Sequence, residues 1–312
     1  MQNLPYKLPR KEIKLGVIFR SYRTQVYFIS GIIICLIFFL YALAQPGQKI
    51  ETSVLNLTGN KASGEYIFAA AGCNSCHLGQ SKDQKLYLGG GEQFVTPFGT
   101  FYAPNVSMSK THGIGGWSFG DFYTALKFGQ SPQNNPYYPA FPFTSYSKMT
   151  NQDIADLWEY WKTLPSVETP SKDHELDFPF NIRMSVGIWK KLFFDSSFIA
   201  NPHERGTYLV EALGHCAECH TPRDVFGASI RSQWMKGAKN PSGKGRIPSI
   251  HPNDLKWTVE EISEYLLSGM TPDFDVAGGK MAAVIDNTAK LTTEDRNLIA
   301  KYLKMLDEKI VE

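Results

Sequence analysis

The hydrophobic and polar positions of the chain form one long apolar run followed by two stretches of helical periodicity. Residues 26–44 hold no charged side chain, and about 20 apolar residues are enough for a helix to cross a bilayer. Apolar residues then recur at spacings of three and four in segments 117–129 and 257–269, which is typical of amphipathic helices. The pattern predicts one transmembrane helix followed by helical domains.

The two periodic segments belong to an internal repeat. Trp117 and Trp257 each open a segment with leucine at offset 9, glycine at offset 12 and proline at offset 15. Thr150 and Thr292 each precede another helical pattern with acidic residues in its first turn, which is an N-cap signal. A Gly-x-Tyr segment also occurs near the start of each repeat. The chain is therefore expected to contain two related all-α units.

These repeats divide the chain into predicted domains. The first copy is assigned to residues 62–164 and the second copy to residues 205–308. Residues 46–61 are expected to form a tether, and residues 165–204 a linker. The linker mixes prolines with large apolar residues, which a free linker would lack. We therefore expect it to pack along both copies.

Charge is distributed unevenly, although the whole chain carries only +2. Residues 1–25 carry +5, whereas the residues after position 45 carry −3. Because cations flank the cytoplasmic side of an apolar segment, we predict a cytoplasmic tail at 1–25 and an anchor at 26–45. The remainder would lie in the periplasm, making this a single-pass protein of the cytoplasmic membrane in contact with the lipid bilayer. The sequence Ala42-Leu43-Ala44 leaves a cleaved signal peptide open, and the lack of basic excess excludes nucleic acid as an expected partner.

Four of the five cysteines fall in two Cys-x-x-Cys-His motifs. The first is Cys73-Asn74-Ser75-Cys76-His77 and the second is Cys216-Ala217-Glu218-Cys219-His220. This is the attachment sequence of haem c. Two thiols one helical turn apart can each bond a vinyl group of one porphyrin, and the adjacent imidazole then reaches the iron.

We therefore predict two covalently bound haem c groups. Cys73, Cys76, Cys216 and Cys219 would provide the thioethers, and His77 and His220 the proximal iron ligands. A zinc site would need four ligands around one ion, whereas the two pairs lie in separate repeats. A dithiol oxidoreductase would leave both histidines unexplained. The fifth cysteine, Cys35, lies in the apolar run and is assigned no function.

The sixth ligand of each iron decides what the haem can do. In the second copy Met281 follows two glycines and precedes the terminal helix, and we predict that it binds the iron, with Met270 as the alternative. Alignment of the terminal helices puts Phe141 near the Met281 position. Met149 is the predicted ligand of the first copy, although it also fits a hydrophobic staple at a helix entry. Met108 or a vacant site are the other possibilities there.

Several longer segments carry a family resemblance. They are residues 100–105, 113–117, 138–143 and 215–223, which read TFYAPN, GIGGW, YPAFPF and HCAECHTPR. Together with the two haem motifs they resemble the multihaem cytochrome c subunits of bacterial membrane alcohol dehydrogenases and gluconate dehydrogenases. The resemblance implies class I-like cytochrome c domains, covalent haems, export to the periplasm, and electron transfer from a dehydrogenase towards quinone or a terminal oxidase. This chain departs from those subunits in having two haem motifs instead of the usual three, an N-terminal anchor, and Phe141 where methionine is frequent.

Three functions follow from these observations. The preferred hypothesis is a membrane-anchored periplasmic dihaem cytochrome that transfers electrons between a respiratory donor, a dehydrogenase or quinol-linked complex, and an acceptor or terminal oxidase. Its partner would be a membrane-bound respiratory complex or dehydrogenase subunit, and no catalytic residue is assigned. A second hypothesis is a dihaem enzyme of the peroxidase or thiosulfate dehydrogenase type, with the first-copy haem as its reactive centre. A third is a subunit resembling the dihaem subunit of cbb3-type oxidases.

Overall fold

The structure is a computed structural model that describes residues 15–44, 49–78 and 86–306. The chain divides into two compact units, residues 1–45 and residues 46–312. Most of the predicted basic tail, at 1–14, lies outside the described residues, as do 45–48, 79–85 and the end of the second copy beyond 306.

Within the first unit, the described residues form one helix, α1 (Leu15–Ala44). Among the residues described, no helix is both long enough and apolar enough to cross a membrane. The predictions of a transmembrane helix at 26–44 and of a single-pass location in the cytoplasmic membrane are therefore wrong.

The second unit contains short helices and a few short strands. The helices before the linker are α2 (Thr52–Leu55), α3 (Lys61–Ala70), α4 (Cys73–His77), α5 (Phe119–Phe128), α6 (Phe143–Tyr146) and α7 (Asn151–Trp161). The linker holds α8 (Ser185–Phe193). The second copy holds α9 (Arg205–Tyr208), a π-helical turn (Leu209–Leu213), α10 (Ala217–His220), a 3-10 turn (Arg231–Gln233), α11 (Val259–Ser268), α12 (Lys280–Thr288) and α13 (Thr293–Met305).

The strands correct the prediction of an all-α fold. Strands β1 (Gln93–Thr96), β2 (Gly99–Tyr102) and β3 (Glu175–Leu176) form an antiparallel sheet, and β4 (Ala238–Lys239) pairs with β5 (Arg246–Ile247). In the first sheet Phe94 lies opposite Phe101 and Val95 opposite Thr100. Aromatic and β-branched residues on both sides of a tight turn favour such a hairpin, so local side-chain preference explains the first two strands.

The predicted helix starts and stops are confirmed in both copies. Ser118 and Thr258 each form a capping box at the start of α5 and α11, and each helix ends at a left-handed glycine, Gly129 or Gly269. The hydroxyls of the two predicted N-cap threonines, at positions 150 and 292, accept the amide of the aspartate three residues on. These bonds satisfy amides that the first helical turn leaves unpaired.

The glycines of the Gly-x-Tyr segments allow close helix packing. A side chain at Gly64 of α3 would collide with the backbone of Asp156 in α7, and one at Gly206 would meet the Leu298 carbonyl of α13 at 2.5 Å. Each copy therefore packs its first helix directly against its own terminal helix. One hydrophobic core then runs continuously through both copies.

The linker contacts both copies. The amine of Lys190 in α8 donates to the Phe128 carbonyl, and the Tyr138 hydroxyl donates to the Phe180 carbonyl at 3.0 Å. On the other side, the Trp189 indole donates to the Phe226 carbonyl at 2.9 Å. The segment thus forms a polar and aromatic bridge between the copies.

Candidate functional site

The helices α4 and α10 arrange the two Cys-x-x-Cys-His motifs. Each motif forms about one helical turn, so its second cysteine and its histidine lie three and four positions after the first cysteine on neighbouring parts of the same face. The turn of α4 begins after Gly72, which has a φ of 59°. In α10 the amide of His220 donates to the Cys216 carbonyl at 3.0 Å. Both sulfurs and the imidazole of each motif can therefore serve one planar group.

Each motif histidine is held by the same second contact. The Nδ1 atom of His77 lies 2.8 Å from the Pro104 carbonyl oxygen, and the Nδ1 atom of His220 lies 2.8 Å from that of Pro248. A carbonyl only accepts, so Nδ1 carries the proton and Nε2 keeps a free lone pair. Burial lowers the pKa of both imidazoles, which favours the neutral form that binds a metal.

The four motif cysteines form no disulfide, so each sulfur can take part in a thioether bond. Burial raises the pKa of Cys73 to about 12, of Cys76 to about 11 and of Cys216 to about 12, and it also raises the pKa of Cys219. Within the described part of the chain, no three His, Cys, Asp or Glu side chains are grouped to hold a metal ion. Paired thiols beside a neutral imidazole fit a covalently attached haem better than a four-ligand zinc site.

The loops that lead to the predicted distal residues match between the copies. The Ser131 amide donates to the Asn135 carbonyl at 2.9 Å, and the Thr271 amide donates to that of Asp275 at 2.8 Å. The amides at 137 and 277 bond to the carbonyls of the preceding helix-ending glycines in the same way. This common register puts Phe141 and Met281 at equivalent positions.

The surroundings of these two residues differ. Met281 lies in the first turn of α12, half-buried against the core. The Phe141 ring lies 5.7 Å from the Tyr137 ring and 5.8 Å from the Tyr146 ring. A thioether can bind iron and a phenyl ring cannot, so the copies differ chemically at this place. The ligand role of Met281 stays a prediction.

The other candidate methionines lie elsewhere. Met149 is 1% exposed and directly precedes an N-cap threonine, as Leu291 does in the second copy. A buried leucine at the equivalent place agrees with an apolar packing role at the helix entry, which competes with the prediction that Met149 binds iron. Met108 follows Pro104 in the loop on the proximal side, and Met270 is 47% exposed.

The third residue of each haem motif contacts the other copy. The Ser75 hydroxyl donates to the Ala283 carbonyl of α12 at 3.2 Å and accepts from the Asn287 amide at 2.8 Å. Reciprocally, the Glu218 carboxylate accepts from Thr144 of α6 at 2.6 Å and from Ser145 at 3.2 Å. Each attachment motif is therefore bonded to the distal helix of the opposite copy.

Two tyrosines complete this crossed arrangement. The Tyr66 hydroxyl donates to Asp295 at 2.6 Å and accepts from the Thr292 amide at 3.1 Å. The Tyr208 hydroxyl donates to Asp153 and accepts from the Thr150 amide at 3.1 Å. Each tyrosine thus caps the terminal helix of the other copy. The sequence shows both tyrosines in a repeated segment, but their partners lie too far along the chain for local patterns to reveal.

A comparison of the sequence with those of known proteins identifies the family of this chain. The chain is 48% identical over 269 residues to a protein of Cereibacter sphaeroides named "Diheme cytochrome c-type", with 84% of this chain and 91% of that protein covered. The chain belongs to the dihaem c-type cytochromes. Its cofactors are accordingly two covalently bound haem c groups, as predicted. No protein-family model matches this dihaem cytochrome.

Other relatives of the dihaem cytochrome are subunits of dehydrogenases. It is 34% identical over 279 residues to the fructose dehydrogenase cytochrome subunit of Gluconobacter japonicus, with 85% of this chain and 56% of that protein covered. It is 29% identical over 265 residues to the gluconate 2-dehydrogenase cytochrome c subunit of Pantoea cypripedii, with 79% and 59% covered. The chain thus spans little more than half the length of these subunits, and the resemblance predicted from the motifs is confirmed.

Proposed function

We propose that this dihaem cytochrome carries electrons from a dehydrogenase to a downstream acceptor and transforms no substrate of its own. The observation that carries the proposal is the crossed bonding of the two attachment motifs. Each motif touches the distal helix of the opposite copy through Ser75 or Glu218. Haems attached to these motifs would share one continuous hydrophobic core, which suits electron transfer between them.

The residues have distinct roles in this proposal. The thiols of Cys73 and Cys76 would hold the first haem, and those of Cys216 and Cys219 the second. His77 and His220 would bind the irons through Nε2, and Met281 would bind the second iron on the distal side. When bound, each haem supplies a reversible one-electron iron couple whose potential depends on its axial ligands.

The protein's own groups fix the orientation and basicity of the histidine ligands of the iron. The Pro104 and Pro248 carbonyls hold the Nδ1 protons and so fix the orientation of both imidazoles. Hydrogen bonding at that atom also raises the basicity of the ligand. Partial burial of both histidines limits the access of water. These contacts thereby keep both imidazole ligands in place when the charge of the iron changes.

A dehydrogenase is the donor that the relatives support. Fructose, alcohol and gluconate 2-dehydrogenases occur among the named complexes whose cytochrome subunits this chain matches. We propose that the chain receives electrons from a dehydrogenase of this general kind and delivers them one at a time to an acceptor.

Phe141 favours a second candidate function. It occupies the place of Met281 in the first copy, so no thioether is offered there. An iron without that ligand could bind a small molecule, as in a dihaem peroxidase or thiosulfate dehydrogenase. Met149→Leu, which copies the residue at position 291, tests the remaining thioether with little change in volume.

The two functions are separated by one set of measurements on the full-length holoprotein. If the chain is a carrier, the dithionite-reduced protein passes its electrons to a small cytochrome c and consumes no more peroxide or thiosulfate than free haem. Rapid turnover of either compound, or carbon monoxide binding to one reduced haem, would favour the enzyme. Loss of the red-end methionine–iron charge-transfer band in Met281→Ala would support that ligand, and loss in Met149→Leu would support the other.

A further inference from the structure

The distal loops of the two copies share a backbone but present different side chains. Gln130, the first residue of the loop in the first copy, is 5% exposed, whereas its counterpart Met270 is 47% exposed. Further along the second loop, Phe274 and Val276 are 85% and 68% exposed. Bridges between 130 and 136 and between 270 and 276 close both loops in the same way. The backbone therefore does not require apolar residues on the second loop.

Phe274 occupies a backbone conformation that disfavours it. Its φ is 64°, and the equivalent Asn134 has a φ of 62°. Asparagine tolerates this left-handed region, whereas a bulky residue there is an outlier. An exposed aromatic side chain buries little apolar surface that could offset this backbone strain. Strained and exposed positions of this kind are found at functional surfaces.

In the first copy the linker packs at both ends of the equivalent loop. The Lys190 amine donates to the Phe128 carbonyl before the loop, and the Tyr138 hydroxyl after the loop donates to the Phe180 carbonyl, whereas Asn134 at the loop tip is exposed. The Arg183 guanidinium also lies 5.1 Å from the Tyr138 ring centre. In the second copy the equivalent loop carries the exposed apolar residues instead. The exposed tip of the first loop, residues 133–135, is therefore polar where the second loop is apolar.

Acidic residues surround the exposed apolar group. Asp273 and Asp275 flank Phe274, and both are exposed. Burial raises the pKa of Tyr265 in α11, and the Asp275 charge adds to that effect, so Asp275 lies near this helix. Glu260 and Glu264 share one face of α11 with Leu267, at spacings of four and three, and all three are exposed. The cation Lys280 at the edge of this area pairs with Glu92.

We propose that the apolar patch of Leu267, Met270, Phe274 and Val276 docks a redox protein with an apolar contact face ringed by lysine and arginine. This proposal rests on the proposed electron-transfer function and adds the surface through which electrons are exchanged with a partner. The patch leads through Gly278 and Gly279 directly to Met281, so a partner seated on it lies beside the second-copy site. The acidic rim attracts a basic partner and accelerates association at low salt.

The test uses the full-length holoprotein and a small lysine-rich cytochrome c as the acceptor. Phe274→Asn copies the first loop and suits the positive φ, so the fold is expected to be retained. We expect Phe274→Asn to lower the second-order rate constant for reduction of this cytochrome c at least ten-fold at low ionic strength. Phe178→Asn, which removes another exposed aromatic side chain (79% exposed) in the linker, should change it less than two-fold. Oxidation by hexacyanoferrate should be unchanged in both variants.

The outcomes separate the docking proposal from the proposed function. If the unmodified protein reduces neither oxidant, electron transfer itself is refuted. If it reduces both and Phe274→Asn reacts as fast as the unmodified protein, the docking surface is refuted while electron transfer stands. If the substitution instead turns a dimer into a monomer in sedimentation and leaves the rate constant unchanged, the patch binds a second copy of this chain and the proposal fails. A loss of salt dependence in Asp273→Asn/Asp275→Asn would support it.

Discussion

A buried carboxylate joins the two copies and the linker. Glu211 in the π-helical turn is 1% exposed, and it accepts hydrogen bonds from Lys148 at 3.1 Å, Ile199 at 2.8 Å, Ala200 at 3.0 Å and Tyr302 at 2.9 Å. The Lys148 side chain is itself only 5% exposed. Burial lowers the pKa of Lys148, and the Glu211 charge opposes that effect. We predict that this pair has a large effect on stability.

The magnitude follows from the groups left behind. Glu211→Ala leaves a buried ammonium and three donors without their acceptor, and breaking a buried pair costs about 3–5 kcal/mol. Glu211→Gln keeps the shape and one acceptor oxygen, so we expect a loss of about 2–3 kcal/mol, in the range of a charged hydrogen bond. Adding Lys148→Met to Glu211→Gln removes the unpaired charge and should recover part of this loss.

The assay is chemical unfolding of the holoprotein followed by circular dichroism, which gives the free energy of unfolding of each variant. Lys162→Met is a matched control because its partner Glu159 and Lys162 itself are about 40% exposed, and such pairs contribute about 0–1 kcal/mol. A loss below about 1 kcal/mol for Glu211→Ala, or no recovery in the double variant, would refute the reasoning.

Two further predictions concern local packing and pH. Gly129→Ala should destabilise the protein by about 2 kcal/mol more than Gly269→Ala, because overpacking adds to the shared positive-φ strain; thermal unfolding of both variants checks this. A side chain at Gly129 would collide with the Phe143 ring, whereas one at Gly269 meets its nearest neighbour at 3.4 Å. Burial lowers the pKa of Lys190 to about 8 from 10.5, so between these values the unfolded chain binds more protons and stability rises with pH. In Lys190→Met this rise in the free energy of unfolding should become smaller, although Lys127 and Lys148, whose pKa values burial also lowers, still contribute to it; an unchanged slope would contradict the assignment.

The sequence predicted the features that depend on neighbouring residues. The haem motifs, the N-caps at Thr150 and Thr292 and the helix-ending glycines all follow from local chemistry, and the structure contains each cap and helix end. The equivalence of Phe141 and Met281 also follows from the repeat, and the loop register agrees with it.

Features that depend on distant residues could not be predicted. Tyr66 bonds to Asp295, which lies 229 positions away, and Ser75 bonds to a carbonyl of α12. No local pattern specifies such partners, although the repeated Gly-x-Tyr segment marks the tyrosines. The β1–β2 hairpin was predictable from its aromatic and β-branched residues but was hidden by the helical repeat around it. The prediction of a membrane anchor was wrong because an uncharged run of residues alone does not establish a membrane-spanning helix.

The most direct test of the proposed function is a potentiometric titration of the full-length holoprotein, followed by the absorption of reduced haem c. Two one-electron waves are predicted, one for each attachment motif. Because a methionine ligand raises the potential, Met281→Leu should move one wave to lower potential and leave the other in place. A single wave, or two waves that Met281→Leu leaves unchanged, would contradict a dihaem carrier in which Met281 binds the second iron.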